Sequence, residues 1–258
     1  MRKVTATRYV TPLREGGSLP AIIEADDDGL YVLKFRGAGQ GAKALIAELV
    51  SGEIGRTIGL PVPEIVLVEL SEELARTEAD PEIQDLIKAS GGLNLALDYL
   101  PGAVMFSQVA DNPGDKLASS VVWFDAYITN VDRTIRNPNI LVWHKKLYLI
   151  DHGASLYFHH TWDNYIEKTG NPFKVIKDHV LLPFADSFLE VDKEMKSKIT
   201  KKLIEDIINQ IPDSWLTGDS AFSSINKYKE AYIKYLSMRL QQSHLFVEEA
   251  IRARSIYI

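Results

Sequence analysis

A chain of 258 residues with 46% hydrophobic and 25% charged content has the make-up of an ordinary globular protein and is long enough for one large domain or two lobes sharing a cleft. Its 35 acidic against 29 basic residues leave a net charge of -6, which disfavours charge-driven binding to a nucleic-acid backbone. The absence of cysteine excludes disulfides, thiolate zinc sites and cysteine nucleophiles, and with no signal-like N-terminus and no run the length of a membrane span the expectation is a cytoplasmic protein.

The first 36 residues read as strands joined by turns: Val4 to Thr11, Leu19 to Ala25, an Asp26-Asp-Asp-Gly29 turn, and Leu30 to Phe35. An Asp-Gly turn between two apolar runs is a hairpin signal. Gly16 and Gly17, between the first two strands, have no side chains to keep a backbone from approaching phosphates, although such a pair also serves as a plain turn. Lys34 ends Tyr-Val-Leu-Lys. It is placed either to grip phosphates or to face solvent from a strand.

Apolar residues at helical spacing predict a helix from Ala42 to Ile58, buried over much of its surface. Glu48 and Glu53 on it are rival partners for Lys34. Gly59-Leu-Pro-Val-Pro63 stops the helix and starts a strand running through Glu64 to Leu70. Ser71 to Ser90 reads as a charged helical insertion broken at Pro81. Leu93 to Leu100 is strand-like and carries Asp98 into a Pro-Gly turn. Gly114 to Thr129 predicts a buried helix, with Asp125 in a structural role.

Asn130 to Gly153 is the densest stretch. A polar loop, a strand ending at Trp143, a turn at His144 to Lys146 and a second strand form a hairpin. Its closure brings Asp132 and Asn139, at one end, near Asp151, at the other. Converging oxygen ligands suit Mg²⁺. Two long helical segments, about Ser187 to Ile211 and Ile225 to Ile251, complete the chain. The pattern predicts an α+β fold with an antiparallel-sheet N-lobe over residues 1–100 and a helical C-lobe over 101–258.

In this order, Lys34, a helix glutamate, Asp132, Asn139 and Asp151 resemble the phosphate-binding lysine, its partner, the catalytic aspartate and the two metal ligands of protein kinases. Ala47-Glu-Leu ahead of Gly59-Leu-Pro-Val-Pro63, and Ile150-Asp-His-Gly153 in the place of Asp-Phe-Gly, are similar to the HipA-like branch of the protein-kinase-like superfamily. That resemblance runs from Lys34 to Gly153. It implies a two-lobed kinase fold, ATP and Mg²⁺ as cofactors, and phosphorylation of protein Ser/Thr hydroxyls. Asp132 would be catalytic; Lys34, Glu48, Gly16, Gly17 and Asp98 would serve the nucleotide. The metal would fall to Asp151 with Asn139 or Asn137. The usual spacing of five residues after the catalytic aspartate lands on Asn137, whereas the Asn-Ile-Leu context marks Asn139, which is favoured.

The chain is shorter than the best-known toxins of that branch, so toxin behaviour is not part of what the resemblance implies. A pseudokinase, an AMP-transferring enzyme, and a metal-dependent hydrolase built on Asp151, His152, His159 and His160 are the alternatives. Ser18, beside the glycine pair, is a candidate for autophosphorylation.

Overall fold

The structure, a computed structural model, describes residues 1–13, 19–217 and 220–256. Five strands close into a barrel: β1 (Arg2–Pro12), β2 (Ala21–Ala25), β3 (Leu30–Lys34), β4 (Ile65–Leu70) and β5 (Gly92–Asp98), in the order β1-β2-β3-β5-β4. Four of the pairings are antiparallel, as the sequence implies. The fifth, β1 with β4, is parallel. β1 serves two neighbours: Arg2 to Thr5 pair with β4 and Ala6 to Pro12 with β2. Register shifts between Ala6 and Arg8 and between Tyr9 and Thr11 bend it from one to the other.

Small and β-branched residues such as Val4, Ala21, Ile23, Val66, Val68 and Ala96 fill the barrel, because a five-stranded barrel leaves little interior volume. α2 (Pro81–Ala89) presses Ile83 and Ile87 into the same core. The insertion foreseen at Ser71 to Ser90 therefore packs against the barrel. Pro81 opens its helix rather than interrupting one, with the Asp80 side chain accepting from the amide of Glu82.

α1 (Ala42–Ile58) has the predicted bounds and is buried along most of its 17 residues. It lies between the outer face of the barrel, through Ile65, Leu95 and Leu97, and α3 (Asp115–Ile128). A Cβ at Gly55 would stand 3.2 Å from both Phe124 and Val62, so glycine lets these layers approach. Gly59, at φ 92, ends the helix in the left-handed conformation, with the Leu60 amide donating to the Gly55 carbonyl.

The hairpin forms as expected from β7 (Ile140–Trp143) and β8 (Lys146–Leu149), and a two-residue strand not foreseen, β6 (Val104–Met105), extends its sheet. His144 and Lys145 both take positive φ at the tight turn, as a primed turn requires. The helical remainder departs from the expectation of two long helices. It contains α4 (Phe188–Lys198), α5 (Lys201–Ile208), α6 (Ile225–Gln241) and α7 (Ser243–Arg254). Ile199 turns extended and Thr200 caps α5 through the Leu203 amide. Ile199 is itself buried, which keeps the apolar periodicity running across the break. α6 stops at Gln242, whose amide bonds back to Met238 and Arg239.

Away from the Lys34–Glu48 cluster, three bonds tie the sheet-rich part to the helical part: the Leu149 amide donates to the Pro61 carbonyl (2.7 Å), Lys198 Nζ to Ile58 (2.8 Å) and Trp215 Nε1 to Leu93 (3.1 Å). Among the described residues, no helix is long and apolar enough to cross a membrane.

Candidate active site

Lys34 leaves the last residue of β3 and reaches two carboxylates from different elements. Its Nζ lies 2.6 Å from Glu48 Oε2 on α1 and 2.5 Å from Asp151 Oδ1 at the exit of β8. Burial disfavours the ammonium, but the charges of Asp151 and Glu48 outweigh that and hold its pKa above that of a free lysine. Glu48 is fully buried. Burial alone would raise its pKa; the Lys34 charge and the His152 hydrogen bond bring it well below the usual carboxylate range. Glu53, the rival, pairs with Arg56 on the same helix at 3.0 Å.

Asp151 adopts φ 56, a left-handed conformation that carries a backbone cost for a non-glycine residue. The next residue helps hold it there. The His152 amide donates to Glu48 Oε2 at 2.9 Å, and its Nδ1 donates to Oε1 at 3.2 Å. The buried ring meets Phe124 of α3 edge-on, with centroids 5.9 Å apart. Glu48 thus receives three donors, one from Lys34 and two from His152. The Asp151 side chain remains 45% exposed and free to face a ligand.

Asp132 follows α3 across a short loop, and two amides are trained on its carboxylate. Asn137 Nδ2 donates to Oδ2 at 2.8 Å, while Asn139 Nδ2 reaches the same oxygen at 3.4 Å and the Asp132 carbonyl at 3.2 Å. The loop is tied from beneath by Asp125, fully buried on α3. Its carboxylate accepts from Asn130 Nδ2 (3.1 Å), Arg133 Nε (2.6 Å) and His179 Nε2 (2.9 Å). Burial works to raise the Asp125 pKa, but Arg133 and His179 prevail and lower it. The His179 imidazole has a depressed pKa because burial outweighs Asp125. Its Nε2–H donates to that carboxylate, and its Nδ1 accepts the Leu181 amide at 3.0 Å.

Arg133 is buried and donates to the carbonyls of Asn139 and Ile150. It therefore locks the two open ends of the hairpin together. The Ile150 amide also donates to the Asn139 carbonyl at 3.0 Å, placing Asn139 across the ladder from the residue before Asp151. Lys34, Glu48 and Asp151 form one contact group, Asp132, Asn137 and Asn139 another, and the mouth of the hairpin joins them.

Asp98 stands apart from both. At the end of β5 it pairs in register with Tyr31, and burial together with the nearby Glu64 raises its pKa. Gly16, Gly17 and Ser18 lie outside the described residues. The histidines of the hydrolase reading do not converge: His152 turns to Glu48, and His159 Nδ1 lies 2.9 Å from the Tyr232 hydroxyl on α6. Beyond its place in the Ile150-Asp-His-Gly153 motif, His152 has a role from the sequence only as a metal ligand. The signal for its other role was its position next to Asp151, where a nitrogen donor can turn back to the helix glutamate.

With both asparagine nitrogens turned to Asp132, their amide oxygens and the Asp151 carboxylate are the donors left for a cation. Such hard oxygens fit a Mg²⁺ that keeps waters and shares phosphate oxygens. Among the described residues, no group of three or more His, Cys, Asp or Glu is placed to hold a metal ion.

A family model described as HipA-like kinase matches residues 7–248. Among solved structures, the Helicobacter pylori proinflammatory kinase CtkA is similar at TM-score 0.56 and 15% identity, over 95% of this chain and 97% of that one. The Golgi casein kinase is similar at TM-score 0.51 and 12% identity, and its form with Mn/ADP bound at 0.50 and 13%, each over 96% of this chain and 74% of that one. A search of curated protein sequences gives no match.

Proposed function

The chain belongs to the HipA-like kinase family, a kinase-type phosphotransferase, and from that premise we propose that it transfers the γ-phosphoryl group of Mg·ATP to Ser/Thr hydroxyls of a protein in the cytoplasm. The observation that carries this reading is the contact of Lys34 with both Glu48 and Asp151 across three separate elements. A lysine so held can exchange its bond to Asp151 for phosphate oxygens while Glu48 keeps it in place.

Asp151 and Asn139, next to each other across the mouth of the hairpin, would hold the metal, and Asn137 would steady Asp132. A divalent cation bound there supplies charge neutralisation on the phosphate oxygens. Asp132 accepts the proton of the acceptor hydroxyl as that oxygen bonds to the γ-phosphorus and the bond to the β,γ-bridging oxygen breaks, leaving ADP. Because charge in that transition state is spread over phosphoryl oxygens, positioning and fixed charge do most of the catalysis. The bonds from Arg133, Asp125 and His152 supply the rigidity this demands.

Incubation with Mg·ATP and a cell extract, followed by mass analysis of modified proteins, tests the reaction. A phosphoryl adduct on Ser or Thr is expected. An adenylyl adduct would replace kinase with AMP transfer, and the absence of both binding and turnover of ATP would overturn the assignment.

A further inference from the structure

A cavity of about 970 Å³ opens under the catalytic loop, outside the set of residues that would hold nucleotide and metal. Val131, adjacent to Asp132, is one of its walls; Tyr157, Phe158, Phe173, Val175 and Tyr235 are others. Lys34, Glu48, Asp132, Asn137, Asn139 and Asp151 do not line it. Its size lies at the upper end of the usual range for ligand pockets.

The far wall is built rather than loose. It belongs to the stretch after Gly153, where Leu156, Asn164 and Phe173 all take positive φ, and that stretch is bolted to the helices by a buried arginine. Arg239 of α6 donates through Nη1 to the carbonyls of Thr169 (3.1 Å) and Asn171 (3.0 Å), and through Nε and Nη2 to those of Ala126 and Tyr127 (2.5 to 3.2 Å). Ala126 and Tyr127 lie in the last turn of the helix that leads into Asp132. One side chain thus sets the distance between the pocket wall and the support of the catalytic loop.

Building on the kinase reading, we propose that this cavity is the acceptor's anchor site and that it takes a large apolar or aromatic side chain of a polypeptide near the hydroxyl presented to Asp132. Three features select that occupant. The wall is mainly carbon, so an apolar side chain gains by leaving water. Of the two lysines on its rim, Lys168 is engaged by the Thr161 carbonyl (3.1 Å) and hydroxyl (3.2 Å) and is not directed at an occupant, while Lys174 lies in the field of Glu249; Glu167, Asn164 and Asn171 complete the polar part of the lining. Exposed apolar residues also flank Asp132 on both sides, Val131 before it and Ile135 after it, a spread that suits an extended chain.

The test uses the full chain, Mg·ATP and a library of Ser/Thr peptides in which each flanking position is varied. For the parent, phenylalanine or leucine at one flanking position should raise kcat/KM at least tenfold over alanine there. In Val175→Asp and Tyr157→Ala, both at exposed positions, that ratio should fall to within about twofold of unity. A variant that merely folds less well lowers all peptides together and leaves the ratio unchanged. A parent ratio near one, a ratio unaltered in both variants, or ATP turnover with no peptide labelled overturns the anchor site while the kinase reading stands. Absence of ATP turnover in the parent overturns the kinase reading and the anchor site with it.

Discussion

Glu48 accepts from Lys34 and twice from His152, so Glu48→Gln leaves the nearly buried Lys34 ammonium with Asp151 as its one carboxylate partner. Breaking one side of such a pair costs about 3 kcal/mol or more, and kcat/KM for ATP should fall by about two orders of magnitude in steady-state assays. His152 is separable from Glu48 by substitution. His152→Asn keeps a donor near the Nδ1 position and should stay within about tenfold of the parent, whereas His152→Phe keeps the packing on Phe124, loses the bond and should fall further. Equal activity in the two variants would show that only packing matters there.

Asp125 gives a pH signature. Its pKa in the fold lies below the 3.8 of a free aspartate, so the unfolded chain takes up the proton first as pH falls. The stabilisation is complete above that value and is lost below it. Asp125→Asn should therefore unfold at lower urea than the parent at neutral pH, by about 3 kcal/mol, with the gap narrowing in acid. At this scale the sequence revealed residue types and order, because phosphoryl transfer demands them. It did not reveal which of Glu48 and Glu53 faces the cleft, nor that Arg133 is buried. Both depend on helix rotation and on neighbours distant in the chain.

α1 and the β7–β8 hairpin were legible because periodicity, the Gly59 stop and the tight turn agree locally. The split of α4 from α5 was hidden by buried Ile199, which continues the apolar pattern through a residue in extended conformation. The parallel pairing of β1 with β4 was hidden for another reason. Pairing over more than sixty residues of sequence leaves no local mark. Arg239 is the corresponding prediction among elements. Arg239→Met removes donors from four buried or partly buried carbonyls, and each one left unsatisfied costs about 1 kcal/mol or more. A fall of about 3 kcal/mol in unfolding free energy is expected from urea titration. Unchanged stability would mean that α6 and the segment after Gly153 are held by packing alone.

The two lobes foreseen from the sequence have a barrel core of their own and a larger core that crosses between them. Leu95 and Leu97 of β5 and the buried face of α1 join Trp123, Phe124 and Tyr127 in a single cluster. This continuity makes the cleft stiff at its back, where Glu48 and His152 meet, and leaves Asp151 accessible at its front. The protein should therefore unfold in one cooperative transition by calorimetry; two resolved transitions would show lobes that fold separately. The claim on which the account rests is that Lys34 and Asp151 form one phosphate and metal site with Asp132 beside it. Its most direct test is ATP consumption with Mg²⁺ by the parent and by Asp132→Ala and Asp151→Ala, with folding checked by circular dichroism. The account predicts turnover in the parent and a loss of at least about 10²-fold in each variant with the fold intact; activity near that of the parent in both would contradict it.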